Sequence, residues 1–340
     1  MKVTYVIRSP GTGYSIETLF RSITGVLSRP GSLITPSWLV LPRISQGLLT
    51  VWQNIVFVRK ARLSKVHITG DIHYAVLGAR TKKTVLTIHD CVILRKNSHN
   101  WVRFLVFKWL WYSLPIRRAA IVTTISKKTH NELRHYLGKL ADGILVVPNS
   151  YDPAFTYSPR PFNSDYPNLL HIGTAPHKNL SRLIAALESF PCRLVIVGAL
   201  TETDLSSLQA HHIDYNQHIN ISQEQIIRLY EQCNVVTFVS LYEGFGMPVL
   251  EGQVVGRPVV TSNISPMTDV GGSGACYVDP TDVTDIRRGI LRVCQDEAYR
   301  NELIANGRIN TQAYTVERVA AQYVALYNQL DDSTANIGTT

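Results

Sequence analysis

Acidic residues are scarce in the first half of this 340-residue chain. Residues 1–165 hold 7 Asp and Glu against 23 Lys and Arg, whereas residues 166–340 hold 18 against 11. That segregation excludes an evenly charged surface and points to an anionic partner for the first half: a polyanion, an anionic acceptor or an anionic membrane. Cysteine is also rare. Cys91, Cys192, Cys233, Cys276 and Cys294 are scattered without CxxC spacing, which excludes a disulfide framework and fits a reducing cytoplasm. No uninterrupted apolar run reaches 18 residues, so no transmembrane helix is expected. The opening MKVTYVIRSPGTG has an apolar run too short for a signal peptide. GxGxxG, a serine elbow, HExxH and DxD are missing too, which removes most support for dinucleotide binding, serine hydrolysis and zinc proteolysis.

What is present is an α/β pattern. The length predicts two domains. KVTYVI reads as a strand, SPGTGYS as a glycine-rich turn and IETLFRSITGVL as a helix. KVHITG, KTVLTIHD, AAIVTTIS and ILVVPN read as further buried parallel strands, with a helix around residues 48–63 and another between the Ser126 cap and Gly138. PAFTYSPRPFNSDYP, residues 153–167, has linker composition. A second unit follows, with strands at NLLHIG, RLVIVG, NVVTFVS, RPVVTS and ACYVD, a capping box at Ser222 and Gln225, and helices from about Asp282 and Glu317. Expected boundaries are 1–160, a basic acceptor-binding domain; 161–315, a ligand-binding domain; 316–330, a helix returning to the first domain; and 331–340, a disordered tail.

Three places carry chemistry. TIHD puts His89 and Asp90 at a strand end. HIGTAPHKNL puts Lys178 between a strand and a helix, where an ammonium and helix amides act on one anion. SLYEGFGMPVLEG puts Glu243 and Glu251 around the open amides of Gly244, Gly246 and Met247. Carboxylates accept from vicinal hydroxyls and free amides suit phosphate oxygens, a combination that calls for a sugar joined to a phosphate.

These residues, with TTIS, VVPNSYD and GRPVVTSNISPMTDVGGSGACYVDP, resemble family 4 of the retaining GT-B glycosyltransferases (glycosyl transferases group 1) over nearly all of residues 1–330. The resemblance implies two facing Rossmann-like doubly wound domains with an interdomain cleft. It implies a hexosyltransferase that uses a nucleotide sugar, GDP-mannose or a UDP-hexose, without a metal or a permanently bound cofactor. Glu251 would bind the ribose, and Glu243 the sugar hydroxyls. The segment Gly244, Phe245, Gly246, Met247 and Leu250 would touch sugar and phosphate, and Lys178 the diphosphate. Gly173 and Thr174 would lie beside that group, Gly13 over it and Ile221 by the base, while His89 would serve the reacting centre. The family's second diphosphate cation, an arginine about five residues before the lysine, is replaced here by Gly173 and Thr174, which implies weaker diphosphate binding.

The expected acceptor is a saccharide or lipid-linked molecule of bacterial surface polysaccharide synthesis, with no specific nucleic acid as partner. NWVRFLVFKWLWYSLPIRR, residues 100–118, interleaves aromatics with cations and suits an anionic membrane surface. A cytoplasmic protein, peripheral on the inner face of the plasma membrane, is expected. Competing readings are a non-catalytic subunit of the same fold and a polyanion-binding protein. Two glutamates around glycine amides speak against the latter.

Overall fold

A computed structural model describes residues 1–11 and 15–335. The near-continuous apolar runs fold as strands buried on both faces. β1 (Lys2–Ile7), β2 (Thr35–Val40), β3 (Val66–Ile68), β4 (Thr84–Ile88), β5 (Ile121–Thr124) and β6 (Leu145–Val146) form one parallel sheet in the order β2-β1-β3-β4-β5-β6. β7 (Asn168–Ile172), β8 (Arg193–Val197), β9 (Asp214–His218), β10 (Val235–Phe238), β11 (Val259–Ser262) and β12 (Cys276–Val278) form a second, ordered β12-β11-β10-β7-β8-β9. The chain thus divides into two α/β units, Met1–Ser150 with the helix Val316–Ala335, and Tyr151–Thr315. Strand order reverses between β1 and β3 in the first sheet and between β7 and β10 in the second. Ligands of such sheets bind at the carboxyl ends of the strands beside that reversal.

The last helix belongs to the first unit because its apolar residues recur at helical spacing. Val316, Val319, Ala320, Tyr323, Leu326, Tyr327 and Leu330 are buried with Val3, Tyr5 and Phe20. The Tyr327 hydroxyl meets Tyr5 Oη at 2.8 Å and His67 Nδ1 at 2.6 Å, so the polar groups of this buried layer satisfy one another. The helix runs to Ala335 rather than stopping near residue 330. Residues 336–340 lie outside the described residues.

Three features differ from the sequence reading. Residues 153–167 are no free linker: Phe155 is buried, Phe162 packs against the second core and Ser158 N donates to Val255 O at 3.2 Å. The boundary therefore falls after Ser150 rather than at residue 160. The strands β2 and β9 were not expected, because both are edge strands. One carries Pro36 and the other reads DYNQH, so neither shows a buried apolar run. The helices Glu202–Ala210 and Glu297–Thr311 are further elements that the sequence pattern does not announce.

Residues 101–118 form one interrupted helix: Trp101–Phe107, a π-helical turn Lys108–Ser113, and Leu114–Arg118. Its second half is core, with Trp111, Tyr112 and Ile116 buried and Trp111 Nε1 donating to Asp71 O at 2.8 Å. Its first half is not. Trp101 is 72% exposed and Trp109 63%, with Val102, Leu105 and Val106 also exposed between them.

Candidate active site

In the second unit the site grows from the strand-order reversal. After β7 the backbone turns at Gly173, with φ of 95°, and a short 3-10 turn, Pro176–Lys178, lifts Lys178 over the sheet end. Asn179 holds that turn in place. It is buried, adopts φ of 66°, and donates through Nδ2 to Val239 O at 3.0 Å and Pro280 O at 2.7 Å. The loop after β7 is thereby tied to the ends of β10 and β12. Leu241 N donates to His177 O at 2.8 Å and closes the two loops on each other.

Lys178 and Glu243 meet there. Lys178 Nζ donates to Glu243 Oε1 at 2.7 Å, with both side chains mostly buried, and the ammonium also lies 4.7 Å from the centroid of the Phe238 ring. Without a donor the two charges neutralise each other. An incoming diphosphate can take the ammonium, and sugar hydroxyls can then donate to the freed carboxylate.

Gly246, with φ of 102°, opens the helix Met247–Val255 and offers no side-chain cap; Pro248 has no N–H and Val249 N donates to Gly246 O at 3.0 Å, so within the first turn it is the Met247 amide that faces a ligand. Glu251 is half-buried on this helix, and its Oε2 accepts from Tyr230 Oη at 2.5 Å. Burial pushes the Glu251 carboxyl up to about 7, against the lowering effect of the Tyr230 hydrogen bond.

Other candidates are placed less directly. Leu250 is wholly buried, and the Phe245 ring packs edge-on to Tyr314 with centroids 6.1 Å apart, so both side chains support the site from behind. Helix periodicity turns the Leu250 side chain into the core. Thr174 Oγ1 donates to Ala199 O at 2.6 Å. Ile221 lies in the loop at the carboxyl end of β9, two strands from β7. Gly13 lies outside the described residues. A Cβ at Gly173 would stand 2.9 Å from Lys178 Cε, so the lysine stem fills the space an arginine at that position would need.

In the first unit His89 follows β4 and lines a cavity of about 90 Å³ with Arg8, Asp71, His73 and Asp90. Its Nε2 is buried without a hydrogen-bond partner. Burial above all, then His73 and Arg8, pushes the imidazole down to about 3, so His89 is neutral at pH 7 and free to accept or donate. Arg8 is held by Glu17 through two hydrogen bonds of 2.9 and 2.8 Å. Sequence reasoning missed Tyr230 and Asn179. A helix tyrosine carries no local signal, whereas an asparagine immediately before a helix could have marked a left-handed turn.

Among the described residues no cluster of three or more His, Cys, Asp or Glu side chains could hold a metal.

Residues 158–310 match the family described as Glycosyl transferases group 1, and residues 3–155 match Glycosyltransferase Family 4. The chain is 27% identical over 280 residues to the O-antigen chain mannosyltransferase B of Escherichia coli, covering 74% of this chain and 71% of that one. Sucrose-phosphate synthase from Thermosynechococcus elongatus superimposes with a TM-score of 0.77 at 18% identity, covering 98% of this chain and 100% of that one. Anabaena Alr3699/HepE in complex with UDP-glucose superimposes with a TM-score of 0.75 at 16% identity, covering 97% and 100%. With two parallel sheets of the GT-B type and both halves matched, the chain belongs to the group 1, family 4 glycosyltransferases.

Proposed function

We propose that this glycosyltransferase moves mannose, with retention, from a nucleotide sugar such as GDP-mannose to a saccharide or lipid-linked acceptor of bacterial surface polysaccharide. The carrying observation is the Lys178–Glu243 pair at the β7/β10 reversal, with Glu251 on the adjoining helix. Mannose is favoured by the E. coli mannosyltransferase relative.

In this reading Lys178 and the Met247 amide at the start of its helix stabilise charge on the departing diphosphate without a metal. Glu243 binds sugar hydroxyls, and Glu251 accepts from the ribose. The leaving phosphate takes the acceptor proton on the same face. His89 is the neutral polar group of the unit assigned to the acceptor. A thermal-shift and donor-hydrolysis panel of UDP-, GDP-, ADP- and dTDP-sugars tests the reading. GDP-mannose is expected to stabilise wild type and not Glu251→Ala. Silence from every nucleotide sugar with folded protein would overturn it.

In the same reading the protein sits on an anionic membrane face, and its exposed apolar residues support this. Besides Trp101, Leu105 and Trp109, the first turns of the helix Leu48–Lys60 expose Leu48, Leu49 and Trp52. Both sets follow carboxyl strand ends of the first sheet, the end that carries His89. Residues 43–118 hold 14 Lys and Arg against Asp71 and Asp90 alone. Apolar side chains ringed by cations partition into an anionic interface. Cosedimentation with phosphatidylglycerol-containing vesicles is expected, falling about tenfold or more in a Trp101→Ser/Trp109→Ser variant. Equal binding by the variant, or none by wild type, would count against it. Among the described residues, no helix is long and apolar enough to cross a membrane.

A further inference from the structure

At the opposite, amino-terminal end of the second sheet lies a cavity of about 240 Å³ that the reaction does not use. Asn234 and Pro258, two of its lining residues, immediately precede β10 and β11, whereas Lys178 and Glu243 follow β7 and β10. Three arginines converge on it: Arg160, Arg257 and Arg300. Arg257 and Arg300 are buried, and among the described residues none of the three has a carboxylate within ion-pair distance. Glu297 is the only acidic residue in the wall.

Backbone carbonyls occupy part of this donor set. Arg257 caps the end of the helix Gln223–Gln232, donating to Tyr230 O at 3.0 Å and Glu231 O at 2.7 Å, and also reaches Ser158 O at 2.7 Å. Arg160 bonds Gln232 O, while Arg300 donates through one nitrogen to Val293 O and Cys294 O and stacks over Phe162 at 3.9 Å. Capping accounts for Arg257. It leaves most of the guanidinium N–H groups of Arg160 and Arg300 unspent. Burial above all lowers the pKa of Arg257; Arg160 adds to that, while Cys233, Glu231 and Tyr157 oppose it.

Asn234 supplies a second, independent sign. Its Oδ1 accepts from Asn168 N at 2.9 Å, which sets the orientation of the amide, and its buried Nδ2 finds no partner. A buried donor left unmade is destabilising, and the residue that carries it lines the polar cavity.

We propose that this cavity is a binding site for a phosphate group, carried by a small organic phosphate. Arg160, Arg300 and the Asn234 amide donate to its oxygens, with Phe162 as the apolar wall. The volume exceeds what a bare phosphate fills, and guanidinium forks match tetrahedral oxyanions. This inference is independent of glycosyl transfer.

Inorganic phosphate is the probe, titrated in a thermal-shift assay at ionic strength held constant with chloride. Wild type is expected to show a saturable rise in Tm of roughly 3 °C at ten times the Kd. Arg160→Gln and Arg300→Gln should each raise the half-saturating phosphate concentration about tenfold. Lys178→Ala should leave the titration unchanged, which separates this pocket from the donor site. Arg160 is exposed, so Arg160→Gln alone decides the matter if Arg300→Gln does not fold. A flat wild-type titration, wild-type curves in the folded arginine variants, or loss of the response in Lys178→Ala would overturn the proposal.

Discussion

Lys178→Ala is expected to lower kcat/KM about 10³-fold, chiefly through kcat, because Lys178 is the cation that meets Glu243 at the β7/β10 reversal. A family member with two cations on the diphosphate would keep one after such a change. Here Gly173 stands at the second position, and the Lys178 stem occupies the room a side chain would need. The substitution also leaves Glu243 mostly buried without its partner, which costs about 1–2 kcal/mol of stability. Glu243→Gln separates the two effects. It keeps the ammonium for the diphosphate and is expected to weaken sugar binding with a smaller loss of kcat. Steady-state kinetics with saturating donor, beside urea unfolding of both variants, makes the comparison. A Lys178→Ala enzyme that keeps wild-type kcat would remove the lysine from the leaving-group site.

Glu251→Gln is expected to do two opposite things. Donor affinity falls about 30-fold or more, because an amide cannot accept from both ribose hydroxyls as a carboxylate does. Stability rises at alkaline pH. The folded carboxyl titrates at about 7, above its ordinary value near 4.5, so the folded state binds the proton more tightly than the unfolded state. The burial penalty on Glu251 is therefore absent at low pH, grows as pH rises from about 4.5 to 7, and is fully present above 7. Removing it should stabilise the protein by on the order of 2 kcal/mol at pH 8, or roughly 5 °C in Tm, and by nothing measurable near pH 4. Tyr230 can still donate to the Gln oxygen, so the comparison leaves that hydrogen bond in place. For the same reason wild-type donor affinity should rise with pH through about 7, as the carboxylate forms. Calorimetric melting at pH 4 and pH 8 checks the stability, and nucleotide titration at both checks the binding. A Tm gain of equal size at both pH values would show that the carboxylate is not held above its ordinary range.

Such a residue is what a binding site in a mostly buried helix entails. Six of the nine residues of Met247–Val255 besides Gly252 are buried, so a carboxylate there is retained against the packing preference of its surroundings.

Much of this was legible locally. Most central strands are apolar runs closed by Gly, Ser or His, because a buried parallel strand carries few polar side chains and each of those, like His67, needs a buried partner. The family motifs are likewise local, since Gly246 and the two glutamates belong to one turn and the helix it starts. The edge strands β2 and β9 were not legible, because half-exposed strands need no apolar run. Nor was the attachment of residues 153–167, whose contacts are made by scattered aromatics.

The sequence by itself determined the fold class, the glycosyltransferase family and which polar residues stand at strand ends. Only the tertiary structure decided which of them meet. Lys178 and Glu243 are 65 residues apart and pair because the sheet order sets β7 beside β10. Tyr230 reaches Glu251, and Asn179 reaches Val239 and Pro280, for the same kind of reason. Strand order is settled by how whole helices and strands bury their apolar faces together, a property no short stretch of sequence contains.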